Sequence, residues 1–324
     1  MTETVGFQLN WEPNGFQAPY FLARERGFYD EEGLEVEFIE GHGSPFAAEQ
    51  AARGRADLAL AGASAVLSVR SEGHEPTAVA AVTGKTPAAI YTLEDVLGGP
   101  LTEPEQLAGR TVAPSATKTR ILTAQLLEDA GIADEVDLLG VDPNTHHRVQ
   151  HQLLDGEVDA AVGVVTNGTE LQWDHGRQAH ELPIGDYLDI YGMTIVTNDG
   201  MLGDRPETVR AFLRATARGW AAATNDPGAA IDALVARNAT LERRRDIERL
   251  KFETAARDLQ FTDRVRRDGW GHQAAGRWTT LGETLAETDL LSGPVDPEEA
   301  WTNGFLDADD EAIGGYADRI EESV

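Results

Sequence analysis

Short apolar segments alternate with segments of helical spacing over the first two hundred residues of the chain. The segments at 5–9, 57–60, 77–82 and 110–113 have the compact apolar runs that are typical of buried strands. Strands that alternate with helices form parallel sheets whose faces are covered by the helices. The pattern therefore predicts an α/β fold with mostly parallel sheets and flanking helices.

Two stretches of the chain share one plan. "AARGRADLALAG" (51–62) and "LLDGEVDAAVGV" (153–164) each pass from a helix end through a glycine to an aspartate and a short strand. Two lobes built on this plan would fit a clamshell binding protein, but an ordinary βαβ repeat explains the similarity equally well. From Pro206 onward the pattern is helical, with Pro206 and Pro227 at first-turn positions, where the missing N–H costs nothing. The tail (307–324) is expected to be loosely attached.

Composition excludes several classes of protein. The 324 residues, 41% of them hydrophobic, suffice for two lobes. No apolar run approaches the roughly 20 residues that a membrane-spanning helix needs. Cysteine is absent, which excludes disulfides, thiolate metal ligands and a cysteine nucleophile. The net charge of −29 repels phosphate backbones, so nucleic acid is not an expected partner.

The basic residues are almost all arginine, because lysine occurs only at Lys85, Lys118 and Lys251. An acidic surface with so few lysines is typical of proteins kept soluble at high salt, where repulsion among carboxylates is screened. A halophilic source is the resulting hypothesis. The start "MTETVGF" has no charged region, apolar region or cleavage site of a signal peptide. Either the protein is intracellular or the chain lacks its leader.

Several longer stretches carry a family resemblance. "LNWEPN", "APYFLARERGFYDEEGLEVEF", "GRADLALAG", "VRAFLRATARGW" and "GPVDPEEAWTNGFL" resemble the thiamine-pyrimidine-precursor branch of the solute-binding proteins. That branch also includes sulfonate and nitrate binders, and the fungal enzymes that make hydroxymethylpyrimidine phosphate. The similarity extends from the first strand to about Leu306, and its most specific parts are the opening and closing motifs.

The resemblance implies the two-lobed periplasmic-binding-protein fold (type II), with the ligand closed in a hinged cleft. Chain reversals near 83–90 and 192–198 would give a discontinuous lobe I (1–87 and 198–324) and a continuous lobe II (88–197). The resemblance also implies a monomer outside the cytoplasm that binds a small molecule and meets the permease subunits of an ABC transporter. Membrane association would then occur only through the permease, or through a lipid anchor that this chain does not carry.

Candidate ligand contacts in lobe I follow the ends of its strands, where ligands meet open α/β sheets. Trp11 can stack on a planar heteroaromatic ring and Asn14 can hydrogen-bond the edge of that ring, although a core tryptophan bracing the loop is the alternative. In "GHGSPF", Ser44 can cap the next helix and leave backbone N–H groups for the ligand. The candidates in lobe I are Trp11, Asn14, His42, Gly43, Ser44 and Ser64.

Candidate contacts in lobe II lie on three segments. "APSATKTR" (113–120) would place hydroxyl groups and Lys118 at a helix N-terminus, although such loops are also common caps. In the pyrimidine-precursor binders, the segment that resembles "VVTNGTE" carries aromatic residues and a carboxylate that pairs with an aminopyrimidine. Glu170 would be that carboxylate, but the aromatic residues are missing here. "GDYLDIYGM" supplies rim or hinge contacts. The candidates in lobe II are Ser115, Thr117, Asn167, Glu170, Tyr187 and Tyr191.

The histidines do not predict a metal site. His147 and His151 would share one helix face with Asp155, beside His146. No glutamate stands between them as in metal hydrolases, so a solvated start of a helix is the better interpretation.

Two residues decide between enzyme and binder. The fungal enzymes use a lysine and a histidine to anchor pyridoxal phosphate and supply substrate atoms, and the corresponding positions here are Ala61 and Ala65. An alanine cannot form a Schiff base or take a proton. We therefore expect no catalytic residue, cofactor or metal. The expected function is the substrate-binding component of an ABC importer for a small heteroaromatic metabolite such as a thiamine pyrimidine precursor. A sulfonate or nitrate binder and a cytosolic sensor or carrier remain alternatives.

Overall fold

The computed structural model describes residues 2–141, 149–286, 288 and 290–320. Its strands, in chain order, are β1 (Glu3–Gln8), β2 (Leu34–Ile39), β3 (Leu58–Gly62), β4 (Thr77–Ala81), β5 (Ala88–Leu93), β6 (Thr111–Pro114), β7 (Asp137–Leu138), β8 (Ala160–Val164), β9 (Ala179–Pro183) and β10 (Met193–Thr197).

The α-helices fill most of the segments between the strands and nearly all of the chain after β10. They are α1 (Ala18–Glu25), α2 (Phe28–Glu31), α3 (Ser44–Ala52), α4 (Ala63–Ser71), α5 (Glu94–Leu97), α6 (Thr117–Asp129), α7 (Val149–Leu154), α8 (Asn167–His175), α9 (Asp199–Asp204), α10 (Pro206–Asn225), α11 (Pro227–Arg237), α12 (Arg245–Thr254), α13 (Asp263–Asp268) and α14 (Ala275–Ala286). None of the helices in the described ranges is long and apolar enough to pass through a membrane.

The chain forms two units, each around its own five-stranded sheet. Unit 1 comprises residues 1–85 and 190–324, and unit 2 comprises residues 86–189. The strand order is β2-β1-β3-β10-β4 in unit 1 and β7-β6-β8-β5-β9 in unit 2. In each sheet one strand runs against its neighbours, and it is the strand that follows the chain's entry into that unit: β10 in unit 1 and β5 in unit 2. The predicted α/β fold with mostly parallel sheets is confirmed.

The second crossing between the units comes earlier than the sequence predicted. The predicted lobe II ran to residue 197 and so included β10. In the structure β10 pairs with β3 through Thr194 and Ala61, and with β4 through Thr194 and Ala81. Because these hydrogen bonds tie the whole strand into the first sheet, β10 belongs to unit 1, and unit 2 ends at residue 189.

Aromatic rings form the centre of unit 1. The ring of Phe7 on β1 lies 5.2 Å from Tyr20 on α1 and 4.9 Å from Phe212 on α10, and Tyr29 stacks on Phe212 at 5.4 Å. Helices α1 and α10 approach so closely that a Cβ at Gly219 would come within 2.7 Å of the Pro19 carbonyl oxygen. The sequence supports this packing, because α10 buries one apolar stripe and begins with Pro206 in its first turn.

The core of unit 2 is smaller and mainly aliphatic. Tyr91 and Leu93 on β5 pack with Ala161 on β8, and Leu153 and Leu171 cover them from α7 and α8. Strand β6 lies parallel to both β7 and β8. The carboxyl ends of β6 and β8 therefore meet at the same edge of the sheet.

A buried guanidinium holds both segments through which the chain leaves and re-enters unit 1. Arg277 on α14 donates to the carbonyl oxygen of Gly84 and, at 2.9 Å, to that of Ile190. Its guanidinium lies 4.1 Å from the centre of the Tyr191 ring. The carbonyl of Leu259, in a π-helical turn, accepts from the N–H of Gly84 at 2.7 Å. Both crossing segments are thus fixed to the C-terminal part of the chain.

The C-terminal tail is packed against unit 1, which corrects the expectation of a loose attachment. Ile313 and Tyr316 are buried, and the Tyr316 hydroxyl donates to Gln260 at 3.1 Å. The backbone N–H of Trp270 donates to the Ile313 carbonyl at 2.9 Å. The segment is acidic overall, but its buried residues Ile313 and Tyr316 attach it to unit 1. Residues 321–324 lie outside the described ranges.

Replacing Arg277 by methionine should lower the free energy of unfolding by about 3 kcal/mol, because two buried carbonyls lose a charged donor. Urea denaturation monitored by circular dichroism measures the change. Arg267→Met is the matched control, since Arg267 pairs with Asp268 on the surface, and it should leave the midpoint unchanged. Equal midpoints for the two variants would show that the crossing segments do not depend on Arg277.

Candidate ligand-binding site

Three loops of unit 1 meet at one edge of its sheet, because β2, β1 and β3 are adjacent and parallel. The loop after β1 carries Trp11 and Asn14, the loop after β2 carries the segment 41–43, and α4 begins directly after β3. The structure therefore brings the sequence-predicted residues of lobe I to a single edge. Their contact with a ligand stays a prediction.

Gln8 locks the first two loops together, and sequence reasoning missed it. Its buried side-chain amide donates to the carbonyl oxygens of Glu40 at 2.7 Å and Leu9 at 3.1 Å. The loops also touch directly, since the N–H of Gly43 donates to the Asn10 carbonyl at 2.7 Å. A Cβ at position 41 would overlap the backbone nitrogen of Trp11, so only glycine fits there. The sequence does carry a signal for this role, because Gln8 is a polar residue within the apolar strand β1.

The loop after β1, the end of β2 and the start of α3 expose large apolar side chains to solvent. Trp11 is 43% exposed, Ile39 38% and Phe46 37%, which is high for side chains of this size. The ring of His42 lies 5.4 Å from that of Phe46, edge to face. We call Trp11, Ile39, His42 and Phe46 the aromatic edge. The alternative of a core tryptophan does not apply to Trp11.

Three other predicted residues of this edge have local structural roles. Asn14 caps the short turn that follows it, because its Oδ1 accepts from the N–H of Phe16 at 3.0 Å and its Nδ2 donates to the Glu12 carbonyl at 3.1 Å. Ser44 was expected to cap α3, but the cap position is Gly43 with a φ of 110°, and Ser44 is the first residue of the helix. Ser64 is buried in the first turn of α4.

In unit 2, the loop between β6 and α6 lies beside the end of β8. The N–H of Ser115 donates to the Val162 carbonyl at 3.0 Å. The N–H of Ala116 donates to the Thr119 hydroxyl at 3.0 Å, and that hydroxyl donates back to the Ala116 carbonyl at 2.8 Å. Ser115 and Thr117 therefore flank the N-terminus of α6 as predicted from the sequence, but Thr119 supplies the cap.

Lys118 brings an amine to the first turn of α6. Its side chain keeps partial contact with solvent, yet burial lowers the pKa of the amine to about 8. Within the described ranges, no carboxylate forms an ion pair with this lysine. A cation and the partial positive charge of the helix end thus coincide, which favours an anionic group at this position.

The segment after β8 turns sharply at Thr166, whose φ is 83°. A β-branched residue seldom adopts this left-handed conformation, which costs about 1–3 kcal/mol. The hydroxyl oxygen of Thr166 is buried and has no partner among the described residues. Asn167 fixes the turn, because its Oδ1 accepts from the Val164 N–H at 2.8 Å and its Nδ2 donates to Glu170 at 3.1 Å.

Glu181 on β9 completes this turn, and sequence reasoning missed it as well. Its carboxylate accepts from the N–H of Thr166 at 2.9 Å and from that of Thr169 at 3.1 Å. Burial, opposed by these N–H groups, raises the pKa of Glu181, and the nearby Glu170 raises it further. Burial and the two carboxylates also raise the pKa of the Tyr91 hydroxyl. We call residues 166–170 together with Glu181 the acidic turn.

The two predicted tyrosines of the 185–193 segment differ in their surroundings. Tyr187 is 45% exposed, and its hydroxyl donates to the Thr102 carbonyl at 3.4 Å. Tyr191 is buried beneath Arg277, and its hydroxyl accepts from the N–H of Ala274 at 2.8 Å. Of the two expectations for Tyr191, burial excludes the rim contact, because the ring is part of the interior of unit 1. The hinge contact stays a prediction.

The histidine cluster considered from the sequence falls partly outside the described ranges, which omit residues 142–148 with His146 and His147. Among the residues that are described, no group of three or more His, Cys, Asp or Glu side chains could hold a metal ion.

The two units and their loop-bearing sheet edges define an α/β protein with the periplasmic-binding-protein fold. The periplasmic aliphatic sulphonate binding protein SsuA from Escherichia coli superposes with a TM-score of 0.71, covering 93% of this chain and 92% of that chain at 15% sequence identity. Residues 14–230 match the family model described as NMT1/THI5 like. The chain belongs to this family.

Curated relatives span binding proteins and enzymes. The riboflavin-binding protein RibY of Chloroflexus aurantiacus is 26% identical over 94% of this chain and 86% of its own length. The formylaminopyrimidine-binding protein of Halalkalibacterium halodurans is 24% identical over 93% of this chain and 90% of its own length. The 4-amino-5-hydroxymethyl-2-methylpyrimidine phosphate synthase THI13 of Saccharomyces cerevisiae is 26% identical over 66% of this chain and 65% of its own length.

Lys118 should be the most reactive of the three lysines toward acetic anhydride at pH 8, because about half of its amines are unprotonated there. Mass spectrometry of peptides labelled across a pH series gives the midpoint, which is expected near 8. The unfolded chain keeps this proton up to a pKa of about 10.5, so stability should rise with pH between 8 and 10.5. Lys251, paired with Glu248 at 3.1 Å, is the internal control. A Lys118 midpoint above 10 would contradict the environment described here.

Proposed function

We propose that this protein is the substrate-binding component of an ABC importer and that it binds a small heteroaromatic metabolite without covalent chemistry. The observation that carries the proposal is the 43% exposed Trp11 on a loop locked by Gln8. Much of this indole is accessible to solvent, and its flat face suits a planar ring. The ligands named for RibY and for the formylaminopyrimidine-binding protein are both heteroaromatic, which supports this choice.

Within this proposal, the aromatic edge of unit 1 offers a stacking surface for a planar ring. In unit 2, the first turn of α6 and the acidic turn offer groups that can contact polar atoms of a ligand. The structural neighbours include a ligand-binding component of an ABC-type import system and a periplasmic protein of a putative sulfonate ABC transporter, which supports permease subunits as the macromolecular partners. We further propose that the protein acts as a monomer outside the cytoplasm.

A sulfonate or nitrate binder is the second candidate. The observation that favours it is the coincidence of Lys118 with the N-terminus of α6, which suits a small anion. In that case the loop 115–118 would carry most of the affinity, and Trp11 would contribute little.

An enzyme of the fungal synthase type is disfavoured by the residues themselves. Ala61 lies buried in β3 and Ala65 in the first turn of α4, at the positions that resemble those of the synthase lysine and histidine. Neither side chain can form a Schiff base or transfer a proton. The resemblance also implies a cysteine-containing iron loop in those enzymes, and this chain contains no cysteine.

A thermal-shift screen tests the proposed function. The probes are 4-amino-5-hydroxymethyl-2-methylpyrimidine, formylaminopyrimidine, thiamine, riboflavin and ethanesulfonate. A heteroaromatic probe should raise the melting temperature, since a ligand that binds only the folded state stabilises it. Stabilisation by ethanesulfonate alone would select the second candidate. Turnover with pyridoxal phosphate and iron, without stabilisation by any probe, would reverse the assignment to a binding protein.

Trp11→Ala should weaken binding of the stabilising heteroaromatic probe about tenfold or more, because the ring loses its stacking surface. Isothermal titration calorimetry measures the dissociation constants. Trp173→Ala is the matched control, since Trp173 is a 57% exposed tryptophan that belongs to α8 in unit 2 and not to the aromatic edge. An unchanged affinity in the Trp11 variant would show that Trp11 does not stack on the ring of the probe.

A further inference from the structure

The sequence contains the acceptor pattern of N-linked glycosylation twice. The two copies are Asn167-Gly168-Thr169 in unit 2 and Asn238-Ala239-Thr240 in unit 1. The pattern requires a threonine or serine two positions after the asparagine, and it marks surface loops of proteins that are exported from the cytoplasm. Because so short a pattern often occurs by chance, the local structure has to distinguish a usable acceptor from an unusable one.

Asn238 lies in a solvent-facing turn that follows α11 directly. Its backbone N–H donates to the Leu234 carbonyl at 3.0 Å, and its backbone is extended, with a φ of −140° and a ψ of 90°. Ala239 and Thr240 are exposed, and none of residues 239–244 is buried. The turn can therefore open locally without exposing any core residue of its own.

The amide of Asn238 is oriented by the third residue of its own acceptor pattern. Its Oδ1 accepts from the Thr240 hydroxyl at 2.6 Å and from the Thr240 N–H at 3.2 Å. Within the described ranges, Nδ2 of Asn238 donates to no protein atom. The protein thus holds the oxygen of this amide and leaves to solvent the nitrogen, which is the atom that glycosylation modifies.

Asn167 has the opposite arrangement. Its Nδ2 donates to Glu170 at 3.1 Å, and its Oδ1 accepts from the Val164 N–H at 2.8 Å. It is the first residue of α8, and the next residue, Gly168, is buried so tightly that a Cβ there would lie 2.8 Å from the Cγ of Glu181. Presenting Asn167 to an enzyme would require the start of α8 to separate from β9.

We propose that Asn238 is a site of N-linked glycosylation and that Asn167 is not. The sugar donor is an oligosaccharide activated as a polyprenyl phosphate or diphosphate ester. Nδ2 of Asn238 forms a bond to the anomeric carbon of the first sugar, and the bond between that carbon and the phosphate oxygen breaks. The phosphate leaves with the bonding electron pair, and one amide proton passes to a base of the transferring enzyme. The inference uses the location outside the cytoplasm that belongs to the proposed function, but not the choice of ligand.

Glycosylation of the folded protein in vitro tests the inference. The purified protein is incubated with an oligosaccharyltransferase that recognises Asn-x-Ser/Thr, with a polyprenyl diphosphate-linked oligosaccharide and with a short Asn-Ala-Thr peptide as the positive control in the same reaction. Intact mass spectrometry should show one added glycan. Peptide mapping should place it on Asn238, with at least tenfold higher occupancy than on Asn167. An unmodified Asn238 beside a modified control peptide would overturn the inference, and so would comparable occupancy of Asn167.

A pair of matched variants tests the role of the threonine hydroxyl. Thr240→Val keeps the shape of an exposed side chain but removes its hydroxyl, and it should lower glycan occupancy at least tenfold. Thr169→Val makes the same change at the exposed third position of the other acceptor pattern, and it should leave the single glycan in place. Asn238→Gln should abolish the added mass. A glycan that persists in the Asn238 variant would identify a different acceptor and overturn the assignment.

The outcome does not depend on the ligand screen. Glycosylation of Asn238 without stabilisation by any heteroaromatic probe would support the acceptor site while the proposed ligand class fails. Stabilisation by such a probe, with no glycan on Asn238, would support the proposed function and overturn this inference.

Discussion

The fold depends on providing hydrogen-bond acceptors for one buried cation, the guanidinium of Arg277. The buried guanidinium of Arg277 needs acceptors in the interior, and it finds them in the carbonyls of Gly84 and Ile190. These two residues belong to the segments through which the chain leaves and re-enters unit 1. One side chain therefore holds close together two segments that are far apart in the sequence. The reversed strands β5 and β10 follow from the same arrangement, because each begins directly after a crossing that is held in place.

Once the strands are fixed, the positions of their carboxyl ends determine where the candidate ligand contacts lie. In unit 1, adjacent parallel strands bring Trp11 and the segment 41–43 together, and Gln8 supplies the hydrogen bonds that keep both loops in place. In unit 2, the same geometry brings the start of α6 beside the end of β8. The two edges differ in character. That of unit 1 presents rings to solvent, while that of unit 2 presents an amine and two carboxylates on neighbouring helix starts.

The sequence predicts where the loops at these sheet edges lie, but it does not predict which of their side chains are buried or hydrogen-bonded. The reasons are physical. Strand ends are local, since an apolar run stops where the loop begins, so the position of Trp11 follows from the pattern alone. The burial of Tyr191 depends on Arg277, which is remote along the chain and gives no local signal. The role of Glu181 depends on the backbone conformation at Thr166, which composition does not encode. The tail was misjudged because Tyr316 is surrounded by acidic residues that dominate the local average.

Local charge, and not the net charge of −29, should govern ligand choice. Exposed carboxylates more than a Debye length away, about 10 Å at 0.1 M salt, contribute little, and still less at higher ionic strength. What remains is the contrast between Lys118 at the start of α6 and Glu181 at the start of α8. A ligand that contacts both would need an electronegative group at one end and N–H donors at the other. Under the proposed function, an aminopyrimidine with an oxygen-bearing substituent would meet this requirement, whereas a simple alkylsulfonate would satisfy only the first half of it.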